Sequence, residues 1–180
     1  MKAFFRDTLS IILIAAVIIF GLHATVQKFV VEGPSMKLTL NDGQQLIANK
    51  IVYKFHEPER GDIIIFHPPN NEEEEYIKRI IGLPGESIEI KDGTVYIYKT
   101  DGTVMQLDEP YVTNPARQSF NGDIIPENEY FVMGDNRNNS SDSRYGWTVP
   151  RENIIGKAWL SIWPPSEWGL IANYSFKDQT

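Results

Sequence analysis

Apolar positions along this 180-residue chain fall into two regimes. From Leu9 to Leu22 they run almost unbroken, interrupted only by Ser10 and Gly21. From Thr8 to Val26 only His23 can carry a charge. A helix that crosses a bilayer needs about 20 mainly apolar residues, with a lower bound near 17, so 8–26 is just long enough. After residue 26 the pattern changes to period two. Gln45 to Ala48, Asp62 to Phe66, Ser87 to Ile90, Thr94 to Tyr98, Glu129 to Met133 and Ile155 to Leu160 all read as strands.

Turn signals separate these runs: Asn41-Asp42-Gly43, Glu59-Arg60-Gly61-Asp62, Leu83-Pro84-Gly85, Lys91-Asp92-Gly93 and Asp101-Gly102. Asp92-Gly93 between two alternating runs predicts a tight hairpin. No stretch after the apolar segment carries a helical stripe. The expectation is an all-β, mainly antiparallel, barrel-like or sandwich-like body over 27–180, with residues from about 92 to 128 as an inserted subdomain.

The N-terminal run admits two readings. A basic start (Lys2, Arg6) and an apolar core also suit a cleavable signal peptide. The exit Leu22-His23-Ala24-Thr25-Val26-Gln27-Lys28 has no small-x-small site ending in Ala, which favours an uncleaved anchor. Lys2 and Arg6 are offset by Asp7 and answered by Lys28 and Lys37. The charge rule therefore favours a cytoplasmic N-terminus only by a narrow margin. On this reading 1–7 is a short head, 8–26 the anchor, and everything functional follows.

Composition narrows the chemistry. Apolar residues make up 42% of the chain, enough for a packed core, and the formal net charge is −7. Glu72 to Glu75 supply four of the negatives and read as a solvated loop tip. An acidic chain without a basic cluster argues against a nucleic-acid partner. The absence of cysteine removes disulfides, zinc thiolates and thiol catalysis. Of three histidines, His23 lies in the apolar run, while His56 and His67 flank proline-containing turns and have no metal-ligand spacing. Asp135-Asn136-Arg137 opens like a calcium loop, but Arg137 falls where an oxygen ligand is needed. No metal site is expected.

Three blocks could still carry chemistry: Gly33-Pro34-Ser35-Met36, Tyr76-Ile77-Lys78-Arg79, and Gly134-Asp135-Asn136-Arg137 continuing to Ser140-Ser141-Asp142-Ser143-Arg144. Each has an ordinary reading, as a turn serine, a snorkelling strand lysine, and a hydrogen-bonded loop with a surface Asp142–Arg144 pair. Together they say more. A lysine titrating near 10.4 has only about one molecule in a thousand neutral near pH 7. Burial among apolar groups lowers that value by up to roughly 3–5 units. Tyr76, Ile77, Ile80 and Ile81 are suitable neighbours for such an amine. A lysine base would explain a serine hydrolase that lacks a usable histidine.

These blocks, with the apolar prefix, Arg60-Gly61-Asp62-Ile63 and Ile80-Ile81-Gly82-Leu83-Pro84-Gly85-Glu86, resemble bacterial type I signal peptidases, above all the single-span form of Gram-positive bacteria. The resemblance implies a membrane-bound endopeptidase with its catalytic domain outside the cytoplasm. It would cut signal peptides from exported preproteins after small-x-small sites, without a cofactor, beside membrane lipid and near the export machinery. It implies Ser35 as nucleophile and Lys78 as general base, with the Ser35 N–H at the oxyanion. Ser140 would hydrogen-bond the lysine amine. Asp142, Arg144, Arg79 and Asp135 would brace the site, and Phe29, Val31, Tyr76 and Ile77 would line shallow pockets. Two positions depart from the pattern. Gly33 replaces a serine that donates to the oxyanion in longer relatives, and Leu38 replaces a usual proline, read as a change in loop stiffness. Trp159, Trp163 and Trp168 read either as packing or as contacts with the lipid interface. Competing readings are a self-cleaving repressor protease, disfavoured by the apolar prefix, and a non-catalytic, membrane-anchored β-rich binding protein.

Overall fold

A computed structural model describes residues 2–71, 73–174 and 176; the side chains of 2–3, 5–6, 18–20 and 22–24 are outside the description. Helix α1 (Lys2–Thr25) leads directly into strand β1 (Val26–Val30). Among the described residues no helix is long and apolar enough to cross a membrane. The span expected at 8–26 falls partly on side chains outside the described set.

The body is built of β2 (Gln45–Asn49), β3 (Ile63–Phe66), β4 (Tyr76–Gly82), β5 (Ser87–Lys91), β6 (Thr94–Tyr98), β7 (Val104–Gln106), β8 (Phe120–Asn121), β9 (Glu129–Met133), β10 (Val149–Pro150), β11 (Ile154–Trp163) and β12 (Gly169–Leu170). The larger sheet has the order β1-β2-β11-β3-β4-β9-β10, with β12 added to β11; the smaller has the order β7-β6-β5-β8. Every pairing is antiparallel. Irregularities in β11 at Ala158/Leu160 and Ser161/Trp163, and in β4 at Ile80/Gly82, break the register. Bulges of this kind bend a strand and increase its twist, and the large sheet curls without closing on itself.

The central strands are apolar on both faces because both are covered. On β3, Ile63 and Ile65 face one cluster with Phe29, Val31, Met36, Leu40 and Leu46, while Ile64 and Phe66 face another with Tyr53, Ile80 and Val132. On β9, Tyr130 and Val132 join that second cluster, and Phe131 and Met133 turn to a third. The third holds the small sheet to the large one through Ile88, Ile90, Val95, Ile97 and Ile81. The stretch 92–128 thus supplies β6 to β8, completing a sheet that β5 begins. Asp92 and Gly93 make the hairpin turn with φ of 49° and 80°, and Lys91 pairs with Thr94. Positive φ at both central residues is what a two-residue turn on twisted strands requires.

Candidate active site

Ser35 lies in the turn that follows β1. Gly33 takes φ 81° and donates its N–H to Asp42 Oδ1 at 2.8 Å. Past the serine, Lys37 N–H donates to the Pro34 carbonyl, and the N–H groups of Thr39 and Leu40 donate to that of Met36. Met36 and Leu40 are buried in the cluster below, which pins the turn and leaves Ser35 half-buried. Leu38 has φ 91° and is 60% exposed. Proline is locked near −65°, so the backbone conformation at 38 is closed to proline.

Lys78 reaches the serine from β4. Its Nζ donates to Ser35 Oγ at 2.8 Å and to the Ile77 carbonyl at 3.0 Å, 5.1 Å from the Tyr76 ring centroid. The residue is 4% exposed. Burial pulls its pKa from 10.5 down to about 8, against the upward pull of Asp142 and then Asp135. At that value on the order of a tenth of the amine is neutral near pH 7, so it can accept a proton.

The block at 134–144 encloses the pair. Asn136 donates its N–H to the Ser35 carbonyl and its Nδ2 to the Pro34 carbonyl, each at 3.0 Å. Asp135 accepts from Arg79 Nε at 2.9 Å and Nη2 at 2.7 Å, and from Thr39 Oγ1 at 2.5 Å. The third Arg79 nitrogen donates to the Gly61 carbonyl at 2.8 Å. Asp142 accepts two bonds from Arg144 at 2.8 Å and one from the Gly134 N–H at 3.0 Å. That carboxylate is wholly buried and the arginine 14% exposed, so the pair is interior, not a surface one.

Ser140 needs a correction. It does not hydrogen-bond the lysine: its Oγ is buried without a partner among the described residues, while the amine is directed to Ser35 and Ile77. It does lie against the turn that carries Ser35. A Cβ added at Gly134 would sit 2.3 Å from Ser140 Oγ and 2.5 Å from the Ser35 carbonyl oxygen, so only glycine leaves room there.

A cleft of about 790 Å³ runs past Ser35, Lys78 and Ser140. Phe29, Val31, Tyr76 and Ile77 all line it, the first two as buried floor and the last two half-buried. Glu73 to Glu75 form part of its rim, and neither His56 nor His67 lines it. Glu72 of the acidic run lies outside the described residues.

A third buried ion pair had no signal in the sequence. Arg137 forks onto Glu109 with both terminal nitrogens, and its Nε donates to the Gly134 carbonyl at 3.1 Å. In the sequence Arg137 stands in the third block, where it spoils a calcium loop. No local signal joins it to Glu109, which sits in a polar stretch far along the chain. Arg60 and Glu86 make a similar brace at 2.5 Å between the two sheets.

A serine hydroxyl on a buried amine, beside an open cleft in a β fold, has the parts that covalent hydrolysis requires. The signal peptidase family, peptidase S26, matches residues 4–163, and the chain belongs to it. It is 36% identical to the probable signal peptidase I-1 of Synechocystis over 96% of this chain and 90% of that protein. It is 37% identical to signal peptidase I of Bacillus amyloliquefaciens over 86% of this chain and 83% of the relative. A solved signal peptidase I from Enterococcus faecalis aligns at 35% identity over 57% of this chain and 97% of that one, with a TM-score of 0.49. The chain is an enzyme, a serine peptidase of the signal-peptide-cleaving kind. The non-catalytic binding protein is set aside by that membership.

Proposed function

We propose that Ser35 is the nucleophile and Lys78 the general base of a peptidase that cuts signal peptides from secretory preproteins. The observation that carries this is the 2.8 Å approach of a buried Lys78 Nζ to Ser35 Oγ at the side of the cleft. Neutral Lys78 takes the hydroxyl proton as Oγ attacks the scissile carbonyl. The resulting ammonium protonates the departing amine, and an ester remains on Ser35. Lys78, neutral again, activates the water that hydrolyses it. The oxyanion is received by the Ser35 N–H. A second side-chain donor has no place at Gly33; loss of one donor costs about 10²–10³ in rate where it is not replaced.

The cleft supports an extended substrate. β1 is an edge strand, and β4 pairs with β9 only from Arg79 onward. Both the open edge of β1 and the start of β4 border the cleft. An unpaired edge is where a peptide adds as a strand, its alternate side chains entering pockets. Phe29, Val31, Tyr76 and Ile77 make those pockets shallow, which favours small residues one and three places before the cut. Asp142, Arg144, Arg79 and Asp135 brace the dyad. Residues 8–26 anchor the enzyme once in the cell membrane, with 1–7 cytoplasmic and the β domain, 27–180, outside. Their composition supports this, as only His23 is ionisable. Export machinery is a partner by proximity, and membrane lipid by contact.

The test is incubation in detergent with an Ala-x-Ala preprotein. Ser35→Ala and Lys78→Ala should both abolish processing while the domain stays folded. Near-normal cutting by either variant would sink the assignment. Lys78→Arg should also be inactive, because arginine is not deprotonated in proteins.

A further inference from the structure

We propose that Tyr111 is a positioning residue for the catalytic lysine, held in place by Tyr174 and Phe176 from the C-terminal segment. The inference rests on the Ser35–Lys78 reading above. Tyr111 comes from the polar stretch between β7 and β8, to which the family resemblance assigns no role.

Tyr111 is where three structures meet. Its ring lies 4.1 Å from the Arg79 guanidinium carbon, stacked on the arginine that follows Lys78 in β4. Its hydroxyl donates to Glu109 at 2.8 Å, and Glu109 holds Arg137. Tyr174 and Phe176 pack on it edge-on with ring centroids at 5.6 and 6.3 Å, and on each other at 5.0 Å. The backbone that brings them is fitted closely: a Cβ at Gly61 would be 1.7 Å from the Tyr174 carbonyl oxygen, and Asn173 accepts from the Ile63 N–H at 3.2 Å. Gly61 also accepts from Arg79. The C-terminal segment, Tyr111 and Arg79 therefore form one stack whose far end is Asp135.

A cavity of about 380 Å³, lined by Arg79, Tyr111, Leu38 and Tyr174, lies alongside. It gives Arg79 somewhere to move if the ring is lost. Arg79 neutralises Asp135, and Asp135 is one of two carboxylates that favour the protonated form of Lys78. The other, Asp142, is held by Arg144. On its own strand Lys78 faces the Tyr76 ring, β3 brings no charged group at 63–66, and Lys28, Glu32 and Glu73 to Glu75 stand along the cleft. A loosened Arg79 leaves Asp135 less compensated and admits water, and both effects make Lys78 easier to protonate. The acidic limb of the rate profile should then move to higher pH.

The experiment compares Tyr111→Leu, Tyr111→Phe and the double variant Tyr174→Ala/Phe176→Ala, with kcat and KM measured against pH on one preprotein and folding followed by urea melts. Tyr111→Leu should lower kcat about tenfold, as expected for a displaced catalytic group, with KM little changed. Its acidic limb should rise by about half a pH unit, the scale of one partly screened charge. Tyr111→Phe keeps the ring and should restore both, and the double variant should shift the limb the same way by less. A folded Tyr111→Leu with an unmoved limb overturns the proposal, as does Tyr111→Phe behaving like Tyr111→Leu. If Tyr111→Leu does not fold, an unmoved limb in the double variant overturns it. Lys78→Ala run alongside separates the two readings, because normal processing by that variant removes the dyad itself.

Discussion

Lys78 is held in a place that disfavours its charge. A lysine near pKa 8 against an ordinary 10.5 costs the folded state about 3 kcal/mol while both states are protonated, at about 1.36 kcal/mol per pH unit. The sign follows from proton uptake. Below about pH 8 folded and unfolded chains both carry the charge, and the penalty is complete. Between 8 and 10.5 the unfolded chain binds more protons, so stability rises with pH, and above 10.5 the penalty is gone. Lys78→Met should therefore be more stable than wild type at pH 7 by an amount that shrinks as pH approaches 10.5. Urea melts at the two pH values measure this, and an equal gain at both would contradict it. Wild-type kcat/KM should rise on the acid side with an apparent pKa near 8. The isoleucines around Lys78 were legible as a desolvating neighbourhood. Whether the lysine faced solvent or interior was not, because alternation along β4 says which residues share a face and not what covers it.

At the scale of one element, the loop from Gly134 to Arg144 makes the site by joining parts that are distant in sequence. It accepts Arg79 on Asp135, ties Asn136 to the Ser35 turn, and closes on itself through Asp142 and the Gly134 N–H. Its polar composition was legible as a brace. Its partners were not, since Glu109 and Thr39 carry no local mark of their pairing with Arg137 and Asp135. Gly134 is the tightest point. Gly134→Ala forces a methyl against Ser140 and the Ser35 carbonyl. It should cost about 1–3 kcal/mol of stability by overpacking and lower activity by about 10²-fold through displacement of the serine. Acylation of Ser35 by a serine-directed inhibitor reads the second effect. A wild-type acylation rate in Gly134→Ala would show that the close approach has no bearing on the nucleophile.

For the whole molecule, the curled sheet leaves an edge open beside Ser35 and exposes an aromatic group near the end of the chain. Trp159, Trp163 and Trp168 on and after β11 are 46%, 51% and 66% exposed, with Leu170 at 72%. Exposed tryptophan is common where protein meets the lipid interface. Quenchers placed in the headgroup region of vesicles should therefore reduce the tryptophan fluorescence of the intact chain, and unchanged emission would remove the idea. Legible in the chain alone were the antiparallel β class, the hairpin at Asp92-Gly93, the apolar prefix and the serine and lysine that meet. Period-two alternation, turn residues and short motifs are all local, so a single chain read in order carries them. What no local pattern reveals is that Lys78 is buried, that Ser140 Oγ has no hydrogen-bond partner among the described residues, that Asp142–Arg144 is interior, and that Tyr111 stacks on Arg79 with Tyr174 and Phe176 packed behind it. Each of these depends on which distant surface covers a residue, and burial, not residue type, sets the charge and reach of a side chain.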